Sequence, residues 1–442
     1  MHHGMLTVYK EAGYTSSDAV ARLRGILRMR KIGHTGTLDP DAEGVLPMCL
    51  GNATRICELI ADREKEYLAV MRLGVVTDTQ DMSGEILSQI PEEQIPAILL
   101  QTNADVTAIA KGNPELNTDE TAEENAEGNP ELNTDEIAEE NAKSNPVLNA
   151  DEAKEGDPEA TAKEKTEDSI NRRIREAAAA FTGEIDQIPP MYSAIKVNGK
   201  RLYDMARKGI TVERKARRIT IYSLDIEKIE LPLVTMRVRC SKGTYIRTLC
   251  EDLGKALGTG AAMQSLLRTR VGQFTLQEAR TLDELEHIAK TEPEQLLPLI
   301  RPVDSFFVDL PAASCSPEAL RLLKNGNTLT TDEFRFLTAE EDPRKDFRAV
   351  ENDKIIEEAA ENAIDKTNDK TIDESIHESI DESVDLVLDT ASLPGIQPGE
   401  KVIRMYDADG IFYGLYKNNP LGRNRGLYSA YKMFLPEVPK TK

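Results

Sequence analysis

The sequence lacks the cysteine pairs and the long apolar runs that would point to a metal site or a membrane. Its five cysteines are scattered over the 442 residues and none forms a CxxC pair, so we expect neither a structural zinc site nor a disulfide framework. No apolar run approaches the roughly 20 residues of a membrane span, and the first residues, MHHGM, lack the basic and then apolar pattern of a secretory signal. These absences predict a protein of the reducing cytoplasm with no membrane partner.

The negative charge of the chain is concentrated in two segments. The whole sequence has a net charge of −22, whereas residues 111–170 carry −14 and residues 340–390 carry −12. The remainder is therefore mildly basic, at +4. The overall acidity consequently does not exclude a nucleic-acid partner.

Both acidic segments are repetitive. The octapeptide NPELNTDE at 113–120 recurs at 129–136 and, degraded, as NPVLNADE at 145–152, with a period of 16 residues. In the second segment, residues 372–383 repeat isoleucine every four positions. Because such stretches offer too little apolar surface to offset the entropy of ordering, we predict a disordered insertion at about 101–167 and a low-complexity insertion at about 338–390.

The rest of the chain mixes helical and strand patterns. Thr15 precedes apolar residues at helical spacing, and residues 234–240 alternate between apolar and polar side chains as a half-buried strand does. Helical spacing returns from Ile246 to Leu257. These patterns predict an α+β fold with a mixed, mostly antiparallel sheet.

One loop has an unusually constrained composition. Residues 31–47 read KIGHTGTLDPDAEGVLP, so three glycines, two prolines and two threonines surround Asp39. Glycine permits positive φ or close backbone approach, and proline after Asp39 restricts that residue to extended geometry. Taken alone, the pattern also fits an ordinary loop in which Asp39 caps a turn.

The same stretch resembles the signature GHTGTLDPxAxGVLP of the TruB-type pseudouridine synthases of bacteria and matches it at every defined position. The nucleophilic aspartate of that family falls on Asp39. The resemblance implies isomerisation of uridine to pseudouridine, in which the glycosidic bond breaks and the base rejoins the ribose through carbon. It also implies the family's synthase fold.

A carboxylate can carry out this chemistry as a covalent nucleophile, so we expect no metal and no cofactor. The sequence leaves open whether Asp39 attacks the uracil ring or the anomeric carbon of the ribose. In either case the target base has to leave its stack.

Two further segments are similar to family motifs. KEY at 65–67, followed by LG at 73–74 and TDTQD at 77–81, implies that Tyr67 stacks on the flipped base and assists proton removal; a strand tyrosine can also be a core residue. GTYIRTL at 243–249 implies that Arg247 pairs with Asp39. The family places His34 beside the target nucleotide, although a histidine in a glycine-rich loop can also be structural.

The segment QIPPMYSAIK at 187–196 resembles another family motif and gives Tyr192 and Lys196 as candidate substrate-binding residues. Basic residues follow within a short stretch, and we expect them to contact RNA phosphates: Lys200, Arg201, Arg207, Lys208, Arg214, Lys215, Arg217 and Arg218. Leu266 is the candidate that flanks the target pocket. Two positions depart from the family pattern: Glu11 stands in place of proline and Leu267 in place of arginine.

The resemblance implies a catalytic domain over residues 1–300 and a small β-rich RNA-binding domain of the PUA type over 301–442. The expected activity is formation of pseudouridine at U55 in the T-loop of tRNA by a monomer, together with a tRNA-folding role and without an obligatory protein partner or guide RNA. Two alternatives are a dyskerin-like synthase that uses guide RNA and a non-catalytic RNA chaperone. The PPMYSAIK segment and the intact set of Asp39, Tyr67 and Arg247 argue against them.

Deletion of residues 111–165 and 345–390 together is expected to leave pseudouridine formation intact. The deleted charge repels RNA phosphates, but salt screens that repulsion beyond about 10 Å at 0.1 M. The deletion variant should therefore bind tRNA equally well or more tightly at low salt, with no difference at moderate salt. A titration of both proteins across a salt series checks this, and a large fall in turnover at every salt concentration would contradict it.

Overall fold

The computed structural model describes residues 3–101, 158–197, 199–347, 393, 396, 399–418 and 426–435. The helices are α1 (Ser16–Leu27), α2 (Cys57–Ala61), α3 (Ile95–Gln101), α4 (Pro158–Ala180), α5 (Leu202–Ala206), α6 (Ile246–Leu257), α7 (Leu282–Thr291) and α8 (Leu320–Lys324). Short 3₁₀ turns lie at Gly51–Ile56, Glu92–Gln94, Pro293–Leu296, Val303–Phe307 and Thr331–Glu333.

The strands are β1 (Gly4–Lys10), β2 (Ile32–His34), β3 (Glu43–Leu50), β4 (Lys65–Leu73), β5 (Val75–Thr77), β6 (Ile86–Gln89), β7 (Gly183–Gln187), β8 (Lys196–Val197), β9 (Lys200–Arg201), β10 (Arg217–Glu230), β11 (Leu233–Cys240), β12 (Ala261–Val271), β13 (Phe274–Thr275), β14 (Ile300–Arg301), β15 (Ala312–Cys315), β16 (Leu329–Thr330), β17 (Phe334–Phe336), β18 (Lys401–Tyr406), β19 (Phe412–Asn418) and β20 (Leu427–Met433).

The chain divides into two compact units. Unit 1 comprises residues 1–68, 239–242 and 265–442, and unit 2 comprises residues 69–238 and 243–264. In unit 1, neighbouring strands follow the order β14-β1-β3-β12, with β1–β3 antiparallel and β3–β12 parallel. In unit 2, the order is β4-β11-β10-β7, and the pair β10–β7 is antiparallel.

Local sequence signals explain the elements that carry the core. Thr15 caps α1 through a capping box with Asp18, and the apolar stripe of α1 packs with β1, β3 and α7 in one cluster that includes Leu23, Leu46 and Leu285. Along β11 every second residue is buried, from Val234 to Cys240. The expected strand alternation is therefore confirmed.

The C-terminal part of unit 1 is a separate β-sheet with strand order β16-β20-β19-β18-β15-β17, in which β15–β18 is a parallel pair. The fold class is thus confirmed as α+β with mixed sheets and a β-rich C-terminal part. The boundary at residue 301 and the PUA identity stay predictions. None of the described helices is long and apolar enough to span a bilayer.

Most of the two predicted insertions lies outside the described residues, but their edges need correction. Helix α4 begins at Pro158, inside the segment predicted as disordered up to 167. Alanine, glutamate and lysine, which are strong helix formers, extend this helix ahead of the buried Ile170 and Ile174. The predicted end of the first insertion, at about 167, therefore falls inside α4.

The second insertion was predicted to begin at 338, and this is also wrong. Asp342 is buried and accepts hydrogen bonds from Arg404, at 3.0 Å to Nη1 and 2.5 Å to Nη2. The guanidinium also donates to the carbonyls of Val308 and Leu310. Composition alone could not separate Asp342 from the acidic residues around it, because only its partner on β18 distinguishes it.

Asp342→Ala is expected to lower the free energy of unfolding by about 3–5 kcal/mol, because it leaves the buried guanidinium of Arg404 without its carboxylate. The neighbouring Glu340 is exposed, so Glu340→Ala should change that free energy by less than about 0.5 kcal/mol. Urea unfolding of both variants measures the difference. Equal stabilities would mean that the ion pair contributes nothing.

Candidate active site

The loop that carries Asp39 joins β2 to β3 in unit 1. Its two ends are held together because β2 and β3 pair in antiparallel fashion, with His34 opposite Met48. Within the loop, the amide of Ala42 donates to the carbonyl of Asp39 at 3.2 Å, which closes a turn around the aspartate. Ser16, the first residue of α1, accepts a hydrogen bond from the amide of Leu38 at 2.9 Å.

Two buried cations bond the backbone carbonyls on either side of Asp39. Lys10 donates through Nζ to the carbonyls of Pro40 at 3.0 Å and Ala42 at 2.6 Å. Arg268 donates through Nε to Val45 at 2.7 Å and through Nη2 to Gly36 at 3.3 Å. The two side chains are 0% and 1% exposed, so two buried cations hold the backbone on both sides of Asp39.

Gly44 lies between these two cations. Its register partner on β1 is Lys10 and its register partner on β12 is Arg268. Gly44 has φ of +106°, and a Cβ built on it would lie 2.2 Å from the carbonyl oxygen of Arg268. Only glycine permits both this φ and this approach of the strands, which explains why β3 contains a glycine at this position.

Asp39 and Tyr67 both lie in the electrostatic field of Arg268. Burial lowers the pKa of Arg268, while Tyr67 and Asp39 act in the opposite direction. Burial also lowers the pKa of Lys10, and the carboxylates of Glu43, Asp41 and Asp39 oppose that shift. The structure therefore brings two of the predicted catalytic residues together around a guanidinium that the sequence analysis did not single out.

Tyr67 lies on the buried face of β4, where Tyr67, Ala69, Met71 and Leu73 alternate inward. Burial raises the pKa of Tyr67 to about 12, and the neighbouring Arg268 acts against that rise. At neutral pH the phenol is therefore un-ionised.

The other two candidates in unit 1, His34 and Leu266, are close in sequence to Asp39 and Arg268. His34 is half-buried at the end of β2, and burial followed by the charge of Arg268 lowers its pKa, which favours the neutral ring. Its Nδ1 is buried and has no hydrogen-bond partner among the described residues. Leu266 is 8% exposed and lies two positions before Arg268 on the same face of β12.

Lys65 is a further cation close to the loop. It donates to the carbonyls of Ala61 at 3.0 Å and Arg63 at 2.9 Å, at the end of α2. Its Cε lies 3.7 Å from the place a Cβ on Gly36 would occupy. Burial, followed by repulsion from Arg268, lowers the pKa of Lys65 to about 8.

Arg247 belongs to a second cluster, in unit 2. It lies in the first turn of α6 with its side chain 6% exposed, and it donates to the carbonyls of Thr79 at 3.1 Å and Tyr192 at 3.0 Å. Its Nη1 is also 3.6 Å from Oδ2 of Asp81. The structure thus brings Arg247 and Tyr192 together through a backbone carbonyl, and the predicted pairing of Arg247 with Asp39 stays a prediction.

The remaining candidates lie on a basic, aromatic surface of unit 2. The ring of Tyr192 meets that of Tyr203 edge to face at 6.3 Å, and Arg207 lies over Tyr203 at 4.6 Å. A cavity of about 770 Å³ is lined by Lys196, Lys200, Arg201, Asp204, Arg207 and Lys208, among others. Lys196 itself is exposed on β8.

Sequence reasoning missed Lys10, Arg268 and Asp81. Arg268 had a detectable signal, since it occupies an inward position of a strand whose other inward residues are apolar. Asp81 was part of a quoted motif but had no assigned role, and Lys10 looked like an ordinary charged residue at a strand end. Among the described residues there is no group of three or more His, Cys, Asp or Glu side chains that could hold a metal ion.

Comparisons with known proteins agree on one family. The family model described as "TruB family pseudouridylate synthase (N terminal domain)" matches residues 24–112 and 147–246, and that of the "tRNA pseudouridylate synthase B C-terminal domain" matches residues 247–308. A "tRNA pseudouridine synthase B" of Lachnoclostridium phytofermentans is 41% identical over 75% of this chain and 86% of its own length. One of Clostridium kluyveri is 34% identical over 75% and 86%.

Among solved structures, the "Crystal Structure of a Cbf5-Nop10-Gar1 Complex" contains a chain that is 21% identical to this one, with a TM-score of 0.49. The comparison covers 98% of this chain and 85% of that chain.

Arg268→Lys should lower kcat by at least about tenfold, because a single ammonium cannot reach both Val45 and Gly36 as the planar guanidinium does. The unsatisfied carbonyl should also lower the free energy of unfolding by about 1–3 kcal/mol. Arg172→Lys is the matched control, since Arg172 is 73% exposed on α4. Steady-state kinetics and urea unfolding test both effects, and wild-type values for Arg268→Lys would show that the guanidinium does not position the loop.

Proposed function

The chain belongs to the TruB family of pseudouridylate synthases, and on that premise we propose that it isomerises U55 in the T-loop of tRNA to pseudouridine, with Asp39 as the nucleophile. The observation that carries the proposal is the position of Asp39. Its loop is fixed through carbonyl oxygens by Lys10 and Arg268, so the backbone that carries the carboxylate is held in place. A carboxylate held in this way is preorganised to attack a flipped nucleotide.

The chemistry assigned to Asp39 is covalent. The carboxylate adds either to the uracil ring or to the anomeric carbon C1′, the glycosidic bond between C1′ and N1 breaks, and the base turns. Release of the bond to Asp39 and protonation of N1 accompany formation of the new bond between C1′ and the base carbon C5. The proton on that carbon then has to leave.

Tyr67 is assigned to stacking on the target base. Its pKa of about 12 leaves almost none of the phenolate at neutral pH, so a neutral ring is the form that meets the substrate. This supports a role in positioning the base over a role as an ionised general base. Leu266 and the neutral ring of His34 are the further groups that we assign to the nucleotide pocket.

Contacts with the RNA backbone are assigned to the basic surface of unit 2. Lys196, Lys200, Arg201 and Arg207 line its cavity, and ammonium and guanidinium groups are the usual partners of phosphates. Tyr203 is 38% exposed beneath Arg207, which suits stacking with an unpaired base. The mildly basic charge of the chain outside its acidic segments supports the same partner.

We further propose that the protein acts on tRNA as a cytoplasmic monomer without cofactor, guide RNA or protein partner, and that it assists tRNA folding. The curated relatives named above are tRNA pseudouridine synthases. A purified chain incubated with a T-arm RNA hairpin alone tests independence directly. Activity only after addition of a second RNA would favour the guide-dependent alternative.

Asp39→Asn is expected to abolish pseudouridine formation while leaving the Kd for tRNA within about tenfold of wild type, since the amide is isosteric but not nucleophilic. Asp41→Asn provides the matched control, because Asp41 is exposed in the same loop and loses the same charge. Chemical mapping of pseudouridine in T-arm RNA, with binding measured in parallel, reads both effects. Full turnover by Asp39→Asn would refute the assigned nucleophile, and an inactive wild type that binds tRNA would favour the chaperone alternative.

A further inference from the structure

The loop between β5 and β6 contains a glutamine in an unusual backbone conformation. Gln80 has φ of +65°, a left-handed value that among the described non-glycine residues is shared with Arg28. Side chains with a Cβ adopt this region at a cost in conformational free energy. Some interaction of Gln80 therefore has to offset that cost.

The side chain of Gln80 bonds two residues of α6 at once. Its Oε1 accepts from Oγ1 of Thr248 at 2.8 Å, and its Nε2 donates to the carboxylate of Glu251. Thr248 and Glu251 are three positions apart and thus share one face of the helix. The backbone carbonyl of Gln80 is also bonded, by the amide of Met263 at 3.0 Å.

The neighbours of Gln80 on both sides contact Arg247. The carbonyl of Thr79 accepts from Nη1 at 3.1 Å, and Oδ2 of Asp81 lies 3.6 Å from the same nitrogen. The other oxygen of Asp81, Oδ1, accepts from the hydroxyls of Thr79 at 2.7 Å and Ser83 at 2.5 Å. Asp81 is therefore oriented within its own loop, with one oxygen left toward Arg247.

These contacts connect Gln80, helix α6 and Arg247 in a ring. The side chain of Gln80 is hydrogen-bonded to Thr248, which follows Arg247 in the chain. The guanidinium of Arg247 in turn contacts Thr79 and Asp81, the two residues on either side of Gln80. The left-handed turn at Gln80 lets its side chain reach the helix while its two neighbours face the arginine. We propose that Gln80 is a positioning residue that holds the guanidinium of Arg247 against Thr79 and Asp81. This inference rests on the proposed function and on the predicted pairing of Arg247 with the nucleophile Asp39.

Gln80→Ala and Gln80→Gly test this inference, because the two variants lose the same hydrogen bonds to Thr248 and Glu251 but differ in backbone strain. Glycine adopts positive φ freely, so Gln80→Gly should be at least as stable as Gln80→Ala. A positioning role predicts that both lower kcat by about tenfold and leave KM within about twofold. Gln89→Ala, an exposed glutamine on β6, is the matched control and should behave as wild type.

Thr248, the hydrogen-bond donor to Gln80, provides a second test. Thr248→Val keeps the shape of the side chain but removes the donor to Gln80, so it should lower kcat to a similar extent. The double variant Gln80→Ala/Thr248→Val should then be no slower than the slower single variant, since both changes break one contact. Wild-type kcat in Gln80→Gly, or fully multiplicative losses in the double variant, would overturn the inference.

The outcome is separable from that of the proposed function. If Asp39→Asn is inactive while the Gln80 variants turn over as wild type does, only the role of Gln80 fails. If Asp39→Asn retains full turnover, the proposed nucleophile fails irrespective of Gln80. A fall in kcat that follows thermal stability across the Gln80 variants would mark Gln80 as merely structural and would also overturn the inference.

Discussion

The carbonyl oxygens that flank Asp39 are bonded by Lys10 from β1 and by Arg268 from β12, and β3 lies between these two strands. Burying two cations carries a large desolvation cost, which hydrogen bonds to several carbonyls offset. Within the loop, the amide of Ala42 donates to the carbonyl of Asp39 and closes a turn. The conformation of the loop backbone therefore also depends on the strands that supply Lys10 and Arg268.

Arg268 in unit 1 and Arg247 in unit 2 are held in a similar way. Each donates to backbone carbonyl oxygens, those of Gly36 and Val45 in one case and those of Thr79 and Tyr192 in the other. A planar guanidinium with five donors can satisfy such diverging acceptors, whereas an ammonium cannot. Both arginines thereby order segments that carry acidic side chains, Asp39 in one case and Asp81 in the other.

Both acidic segments lie directly next to ordered secondary structure or buried contacts. Asp342 lies at the edge of a stretch of low complexity, yet its carboxylate is buried against Arg404 and belongs to the β-rich C-terminal part. Helix α4 likewise emerges from acidic sequence before its apolar stripe begins. The ends of these acidic segments are thus set by contacts of individual residues, and the net charge of a segment does not reveal where those ends lie.

The sequence by itself determined the family, the α+β class, the capped helix after Thr15, the alternation of β11 and the position of the Asp39 loop. Each of these follows from a local period or from residues that are consecutive in the chain. The tertiary structure alone decided that Lys10 and Arg268 meet at Gly44, that Asp81 faces Arg247, and that Asp342 is buried. These residues are separated by tens to hundreds of positions, and charged side chains look alike in a sequence until strand pairing places a partner beside them.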